Sequence, residues 1–398
     1  MPPSIHYWNY PTEIFCGAQA LNGLAQRCAL LGMARPLLVT DPGMLELEPF
    51  GLLTAHLEQS RQGFAVFAEL ASNPSLDDVQ RGVQAFRAGG HDSLIALGGG
   101  SAMDAAKGIA LAAVDPQGLQ RFEWSRVIEH YPSLSDFPHL GLPPLIALPT
   151  TAGTGSELGR EAVLTDSQQQ VKRVISHPEL LPACVILDPL LTRGLPPALT
   201  AATGMDALTH HIEAFCSPLY HPMSSAIAVE GMRLVQQHLR RAVSHGQDLD
   251  AREGMLVASA MAAVAFQKGL GGVHALAHPL GARYHRHHGL LNAILLPYVL
   301  VANQPVIAEE IGRLARYLDL PRGDFQGFLD WILALRAELG IPHCLSDIGL
   351  DSHEAEWVGA QALADISSSD TNARPLSAAD YSQIFRNAVH GVLPGARP

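Results

Sequence analysis

Five short apolar runs in the first half of the chain limit its fold more than any other feature: "PLLVTD" (36–41), "GFAVFAEL" (63–70), "SLIALGGG" (93–100), "PLIALPTT" (144–151) and "ACVILDP" (183–189). Each is continuous rather than alternating and rich in Val, Ile and Leu, as strands buried on both faces are. Segments of helical period lie between several of them. In 75–89, for example, Leu76, Val79, Val83 and Phe86 fall on one stripe. Strand and helix alternate as in βαβ units, and a parallel sheet is expected.

After Pro189 the character changes to long Ala-, Leu- and Met-rich stretches, broken at Pro222, Gly246, Gly269, Pro279, Pro321 and Pro342. This half reads as all-helical. A chain of 398 residues exceeds what one core usually covers. Two domains are expected: an α/β domain over 1–190 and a helical domain over 191–398.

Hydrophobic content of 47% with 16% charged residues fits an ordered globular protein. A formal charge of −12 opposes binding to a polyanion, so no nucleic-acid partner is expected. The longest uninterrupted apolar run, 255–266, falls short of a bilayer, and the N-terminal stretch 1–17 lacks the basic head and apolar run of a secretory leader. No membrane association is expected. Cys16, Cys28, Cys184, Cys216 and Cys344 are scattered, odd in number and never in a CxxC pair, which points to a reducing cytoplasm.

Two loops carry phosphate-binding chemistry. In "IALGGGSAMDAAK" (95–107), Gly98, Gly99 and Gly100 join a strand directly to a helix, where free N–H groups and the helix dipole attract an anion. Ser101 and Asp104 have capping-box spacing. Met103 sits where the dinucleotide fingerprint has its last glycine, so the motif is partial. Lys107 can reach a phosphate or be a solvated helix lysine. The second loop, "LPTTAGTGSE" (148–157), offers the hydroxyls of Thr150, Thr151, Thr154 and Ser156. Asp41, closing the first run, suits a ribose and disfavours a 2′-phosphate, although an Asp before Pro-Gly also forms turns.

A metal site is suggested elsewhere. In "TAATGMDALTHHIEAF" (200–215), Asp206 and His210 stand four apart on one helix face. In "GGVHALAHPLGARYHRHHG" (271–289) five histidines fall within nineteen residues. His274 and His278 share a helix face, and His285, His287 and His288 follow. One carboxylate with two or three imidazoles suits Fe²⁺ or Zn²⁺ rather than Ca²⁺ or Mg²⁺. Spacing leaves the choice among these histidines open; His211, His285 and His287 are expected at the surface.

Together and in order, "GGGSAMDAAK", "LPTTAGTGSE", "TAATGMDALTHHIEAF" and "GGVHALAHPLGARYHRHHGLLNAILLP" resemble the iron-dependent (group III) alcohol dehydrogenase family over nearly the whole chain. The resemblance implies a dinucleotide-binding α/β domain and a helical domain, with metal and substrate in the cleft between them. It implies Asp206, His210, His274 and His288 as ligands of Fe²⁺, with Zn²⁺ the second choice, and His278 beside the nicotinamide as a proton relay. For NAD, in preference to NADP, it implies Asp41 at the adenine ribose and Gly98, Gly99, Gly100, Ser101 and Asp104 around the pyrophosphate. Thr150, Thr151 and Thr154 would line the nicotinamide half, and Lys172 would contact the cofactor.

The expected reaction is reversible hydride transfer between a small primary alcohol or diol, or its aldehyde, and the nicotinamide, in a homodimer or larger homo-oligomer. The rival readings are a zinc polyol (glycerol-type) dehydrogenase, a dehydroquinate synthase-like lyase and a non-catalytic NAD- or metal-binding protein. Two segments depart from the family pattern, "SNPS" (72–75) and "TNARPLS" (371–377), and neither is expected to touch a ligand.

Overall fold

The computed structural model describes residues 12–131, 133–169 and 171–394; residues 1–11 of the stretch weighed as a leader lie outside them. The chain divides into two compact units, one of residues up to Leu195 together with His245–Ala263, the other of Pro196–Ser244 with the rest of the chain from Val264. Composition suggested a single break near 190; the structure adds an excursion, because the 245–263 segment packs with the first unit.

The first unit is built on a six-stranded, all-parallel sheet. Its strands are β1 (Glu13–Cys16), β2 (Pro36–Val39), β3 (Ala65–Phe67), β4 (Ser93–Gly98), β5 (Leu145–Pro149) and β8 (Cys184–Leu187), in the order β1-β8-β5-β4-β2-β3. The five apolar runs supply β2, β3, β4, β5 and β8. An antiparallel pair, β6 (Glu161–Asp166) and β7 (Val171–Ser176), follows the second glycine loop. Leu38, Ile95, Leu97, Ile146, Leu148 and Ile186 from the sheet pack with Leu24, Leu53 and Leu57 in one core. The helix Leu76–Ala88 opens on a capping box between Ser75 and Asp78 and buries Val79, Val83 and Phe86.

The chain runs from β2 outward to β3 and then back across to β4, so the sheet order reverses between β2 and β4. In open parallel sheets, ligands bind at the carboxyl ends of the strands beside such a reversal. Asp41 follows β2 and the glycine triplet follows β4.

Among the described residues the second unit is helical. Pro196 and Pro197 start the helix Pro197–Cys216, as the proline pair predicts, and residues 200–214 of it are all buried. It packs against the helices Pro222–Ser244 and His288–Tyr317, and the latter packs against Gly272–Tyr284. His288–Tyr317 is long and apolar enough to cross a membrane, a feature missed when only uninterrupted runs are sought. Yet 67% of its most apolar window is buried inside the structure, the condition of a core helix.

Candidate functional site

In the first unit the two glycine loops meet. Because β4 and β5 are parallel neighbours, both loops leave the same edge, and Thr150 N–H donates to Gly98 O at 2.9 Å. Gly98 has φ of +148°, which side chains rarely adopt. A Cβ on Gly100 would lie 2.9 Å from Thr154 Cγ2, so the glycine is what allows the loops to touch. Asp41 Oδ1 accepts from Met44 N–H at 3.1 Å, which makes it a turn-former, and its Oδ2 still faces Gly98.

The helix Gly100–Val114 begins at Gly99 with no side-chain cap. The capping box expected from Ser101 and Asp104 does not form. Ser101 Oγ donates to Ser72 O at 2.5 Å, and Asp104 accepts from Ser156 Oγ at 2.6 Å. Both side chains are engaged elsewhere, which leaves the first N–H groups of this helix without a side-chain cap, as anion binding requires. The "SNPS" departure thus does touch an expected cofactor residue, although through a backbone carbonyl.

Lys107 is neither a phosphate ligand nor a solvated lysine, because it is fully buried. Its Nζ donates to Ser156 O (2.6 Å), Gly159 O (2.9 Å) and Glu161 O (2.7 Å), tying the helix to the second loop. Burial holds its pKa below the usual lysine value, against the opposing pull of Asp104, Glu161 and Glu157. Burial also raises the Asp104 carboxyl and pushes Glu157 up to about 7. Lys172, on β7, adds a positive charge that favours ionised Asp104.

In the second unit three helices bring the predicted ligand residues together. Ligand atoms of Asp206, His210 and His274 all lie within 4.8 Å of one another, and these residues are 1%, 5% and 1% exposed. His274 Nε2 is 3.0 Å from His210 Nε2 and 4.0 Å from Asp206 Oδ1. His288, the first residue of its helix, places Nε2 3.8 Å from Asp206 Oδ1.

Buried imidazole nitrogens facing one another and a buried carboxylate are costly unless something neutralises them. The oxygen and two nitrogens of Asp206, His210 and His274 fit a divalent cation of the Zn²⁺ or Fe²⁺ kind, and His288 stands beside this cluster, next to Asp206. His274 is oriented for that role, since its Nδ1–H donates to Glu213 Oε2 at 2.5 Å and so turns Nε2 toward the cluster.

Glu213 also accepts from Val273 N–H (2.7 Å), and Asn372 accepts from Gly272 N–H (3.0 Å). The start of the metal-bearing helix is therefore capped from two distant segments. Asn372 belongs to the "TNARPLS" departure, which touches no ligand but holds the helix that carries His274. Asn372 is itself fixed by reciprocal bonds with Asn303.

His278 stacks on His288, with centroids 5.4 Å apart, and its Nδ1–H donates to Asp365 Oδ2 at 2.7 Å. Burial disfavours the Asp365 charge, but His278 and the Ser367 hydroxyl, which donates to Asp365 Oδ1 at 2.5 Å, help to outweigh it and hold the carboxyl below its ordinary pKa.

Glu213 and Asp365 went unread in the sequence; the only signal was Glu213 three residues after His210. His285 and His287 are exposed as expected. His211 is not: it is fully buried, its ring filling the space beside Gly231 where the helices Pro197–Cys216 and Pro222–Ser244 cross.

Residues 11–189 match the family model for iron-containing alcohol dehydrogenase, and residues 200–389 match the C-terminal model of the Fe-containing alcohol dehydrogenase family. The chain belongs to this family. It is an oxidoreductase acting on alcohols. A 4-hydroxybutyrate dehydrogenase of Cupriavidus necator is 38% identical, over 96% of this chain and 99% of that one. A 1,3-propanediol dehydrogenase of Citrobacter freundii is 36% identical, over 95% and 97%.

Among solved structures, a 1,3-propanediol oxidoreductase superposes with a TM-score of 0.89 at 35% identity, covering 96% of this chain and all of that one. A sulfoacetaldehyde reductase from Bifidobacterium kashiwanohense, solved with NAD+, gives 0.83 at 26% identity, covering 97% and 99%. The expected fold, an α/β dinucleotide-binding domain with a helical domain, is that of the family. Its cofactors are a nicotinamide dinucleotide and iron.

Proposed function

We propose that the chain oxidises short primary alcohols carrying a second polar group, and reduces the matching aldehydes, with NAD and a divalent cation held by Asp206, His210, His274 and His288. The convergence of Asp206, His210 and His274, with His288 beside Asp206 and His274 fixed by Glu213, carries the reading. A cation bound there supplies Lewis acidity to an alcohol or carbonyl oxygen, and the nicotinamide carries the hydride. The names of the relatives, a diol and a hydroxyacid dehydrogenase, favour such substrates over a glycerol-type polyol.

The chain's own residues bind and orient. The first turn of Gly100–Val114 offers N–H groups to the pyrophosphate, with Gly98, Gly99 and Gly100 leaving room for it. Ser101 and Asp104 act as braces of that loop through Ser72 and Ser156, rather than as direct contacts. Thr150, Thr151 and Thr154 offer hydroxyls along the nicotinamide half, Asp41 faces the adenine ribose, and Lys172 supports the loop through Asp104. His278, with Nδ1–H committed to Asp365, keeps Nε2 free to accept the alcohol proton. The five free thiols support a reducing cytoplasm, and a homo-oligomer remains part of the proposal.

The test is anaerobic purification, metal analysis and reduced-cofactor absorbance across 1,3-propanediol, 4-hydroxybutyrate, glycerol and simple alcohols with NAD and NADP. Asp206→Ala and His274→Ala are expected to lose metal and turnover together, while His287→Ala keeps both. Equal losses in all three would overturn the ligand assignment.

A further inference from the structure

Asn292 follows His288 by four residues and so shares its helix face. It is completely buried. Its amide nitrogen donates to Asp206 Oδ1 at 2.7 Å and lies 3.1 Å from both His274 Nε2 and His288 Nε2. One side chain thus reaches ligand atoms presented by all three helices of the site. Its Oδ1 is buried with no hydrogen-bond partner. An amide that leaves its own carbonyl unpaired in the core pays about 1–3 kcal/mol, so the nitrogen's contacts are what hold it in this orientation.

We propose that Asn292 is a positioning residue of the metal centre. Its N–H fixes which oxygen of Asp206 is turned toward the imidazoles, so that the carboxylate is held in place before a cation arrives. The proposal rests on the ligand set given above and adds a residue to it that is not a ligand. Replacing a donor next to Asp206 by an apolar group of similar volume leaves the carboxylate free to rotate. Replacing it by a second carboxylate sets like charges side by side, which a bound cation relieves.

These two changes push metal dependence in opposite directions, which loss of packing alone would not do. The experiment uses Zn²⁺ as the probe and begins from the metal-loaded enzyme. Metal affinity is read by competition with a chelator, and the melting temperature is read by circular dichroism with Zn²⁺ and with excess chelator. Asn292→Leu is expected to weaken Zn²⁺ binding by about tenfold to hundredfold, the usual cost of losing a partner of a ligand. The gap between its two melting temperatures narrows accordingly.

Asn292→Asp is expected to widen that gap beyond the parent's, by lowering the melting temperature in chelator. Thr209→Val serves as control, because this buried hydroxyl donates only within its own helix, to Met205 O, and its affinity should stay at the parent value. Parent-like Zn²⁺ affinity in Asn292→Leu, or a parent-sized gap in Asn292→Asp, overturns the proposal. Should the leucine variant not fold, the aspartate variant alone decides. A parent chain that binds no Zn²⁺ would instead overturn the ligand set.

Discussion

His274 meets two demands at once: it must stay neutral while almost fully buried, and it must expose one particular nitrogen. Burial favours the neutral ring, whereas the Glu213 charge raises the imidazole's pKa. What Glu213 supplies is the second demand, by accepting from Nδ1, and Glu213→Gln exchanges a charged acceptor for an amide that fits either tautomer. That variant is expected to weaken metal binding about tenfold or more with its helical content unchanged, as read by chelator competition. The same logic applies at His278. Asp365→Asn should lower kcat by about tenfold to a hundredfold with metal content intact, because the imidazole loses the partner that orients it; unchanged kcat would remove His278 from the proton path. The ligands themselves were legible because Asp206 and His210 repeat at helical spacing. Glu213 and Asp365 were not, since each acquires its role from a histidine 61 or 87 residues away in sequence. Glu157 makes a pH prediction. Burial raises its carboxyl to about 7 from 4.5, so the folded state keeps a proton that the unfolded chain releases. Stability should therefore fall as pH rises from about 4.5 to 7 and level off above. Glu157→Gln, with no proton to lose, should recover about 3 kcal/mol at pH 8 and nothing at pH 4, measured by urea unfolding.

At the level of elements, Lys107 joins the two loops that the sequence read as separate motifs. It stands on the helix after the glycine triplet, and its ammonium holds three carbonyls of the segment that follows β5. Lys107→Met would keep the stem and strip those carbonyls of their donor beside the carboxyl groups of Asp104 and Glu157. The expected loss is about 3–5 kcal/mol in urea unfolding, together with weaker NADH binding in a fluorescence titration, since the second loop loses its anchor. A variant as stable as the parent would make the buried charge a bystander. The sequence showed Lys107 only as a cation near a phosphate site, because exposure is a property of the packed helix and not of its spacing. The central strands were legible since burial on both faces leaves continuous apolar runs. β1 is a largely exposed edge strand, and β6 and β7 mix charged residues with apolar ones. Neither pattern carries the signal of a core strand. The entry to Gly272–Tyr284 was equally silent, for its caps come from Glu213 and Asn372.

For the molecule as a whole, the two ligand chemistries belong to different compact units. The dinucleotide loops lie in the first, and the metal ligands in the second, where Asp206 and Glu213 are buried carboxylates, 1% and 6% exposed. Burying such charges costs several kcal/mol each unless they are paired. Glu213 has His274 and a helix N-terminus, whereas Asp206 has Asn292 and neighbouring imidazoles, so a cation contributes most of the compensation at Asp206. Binding of a ligand only to the folded state stabilises it by about 2.7 kcal/mol at a hundredfold excess over Kd. Each ligand should therefore slow amide exchange first where its own contacts lie. Zn²⁺ is expected to protect 206–213, 272–278 and 288–292, and chelation to release them while 93–98 and 145–149 stay protected by the sheet. NADH should protect 98–104 and 150–156. Hydrogen exchange followed by mass spectrometry reads both patterns in one preparation. Zn²⁺ that left exchange in the three helical segments unchanged would mean that those helices are not tied by a cation, and the metal centre would have to be sought elsewhere in the chain.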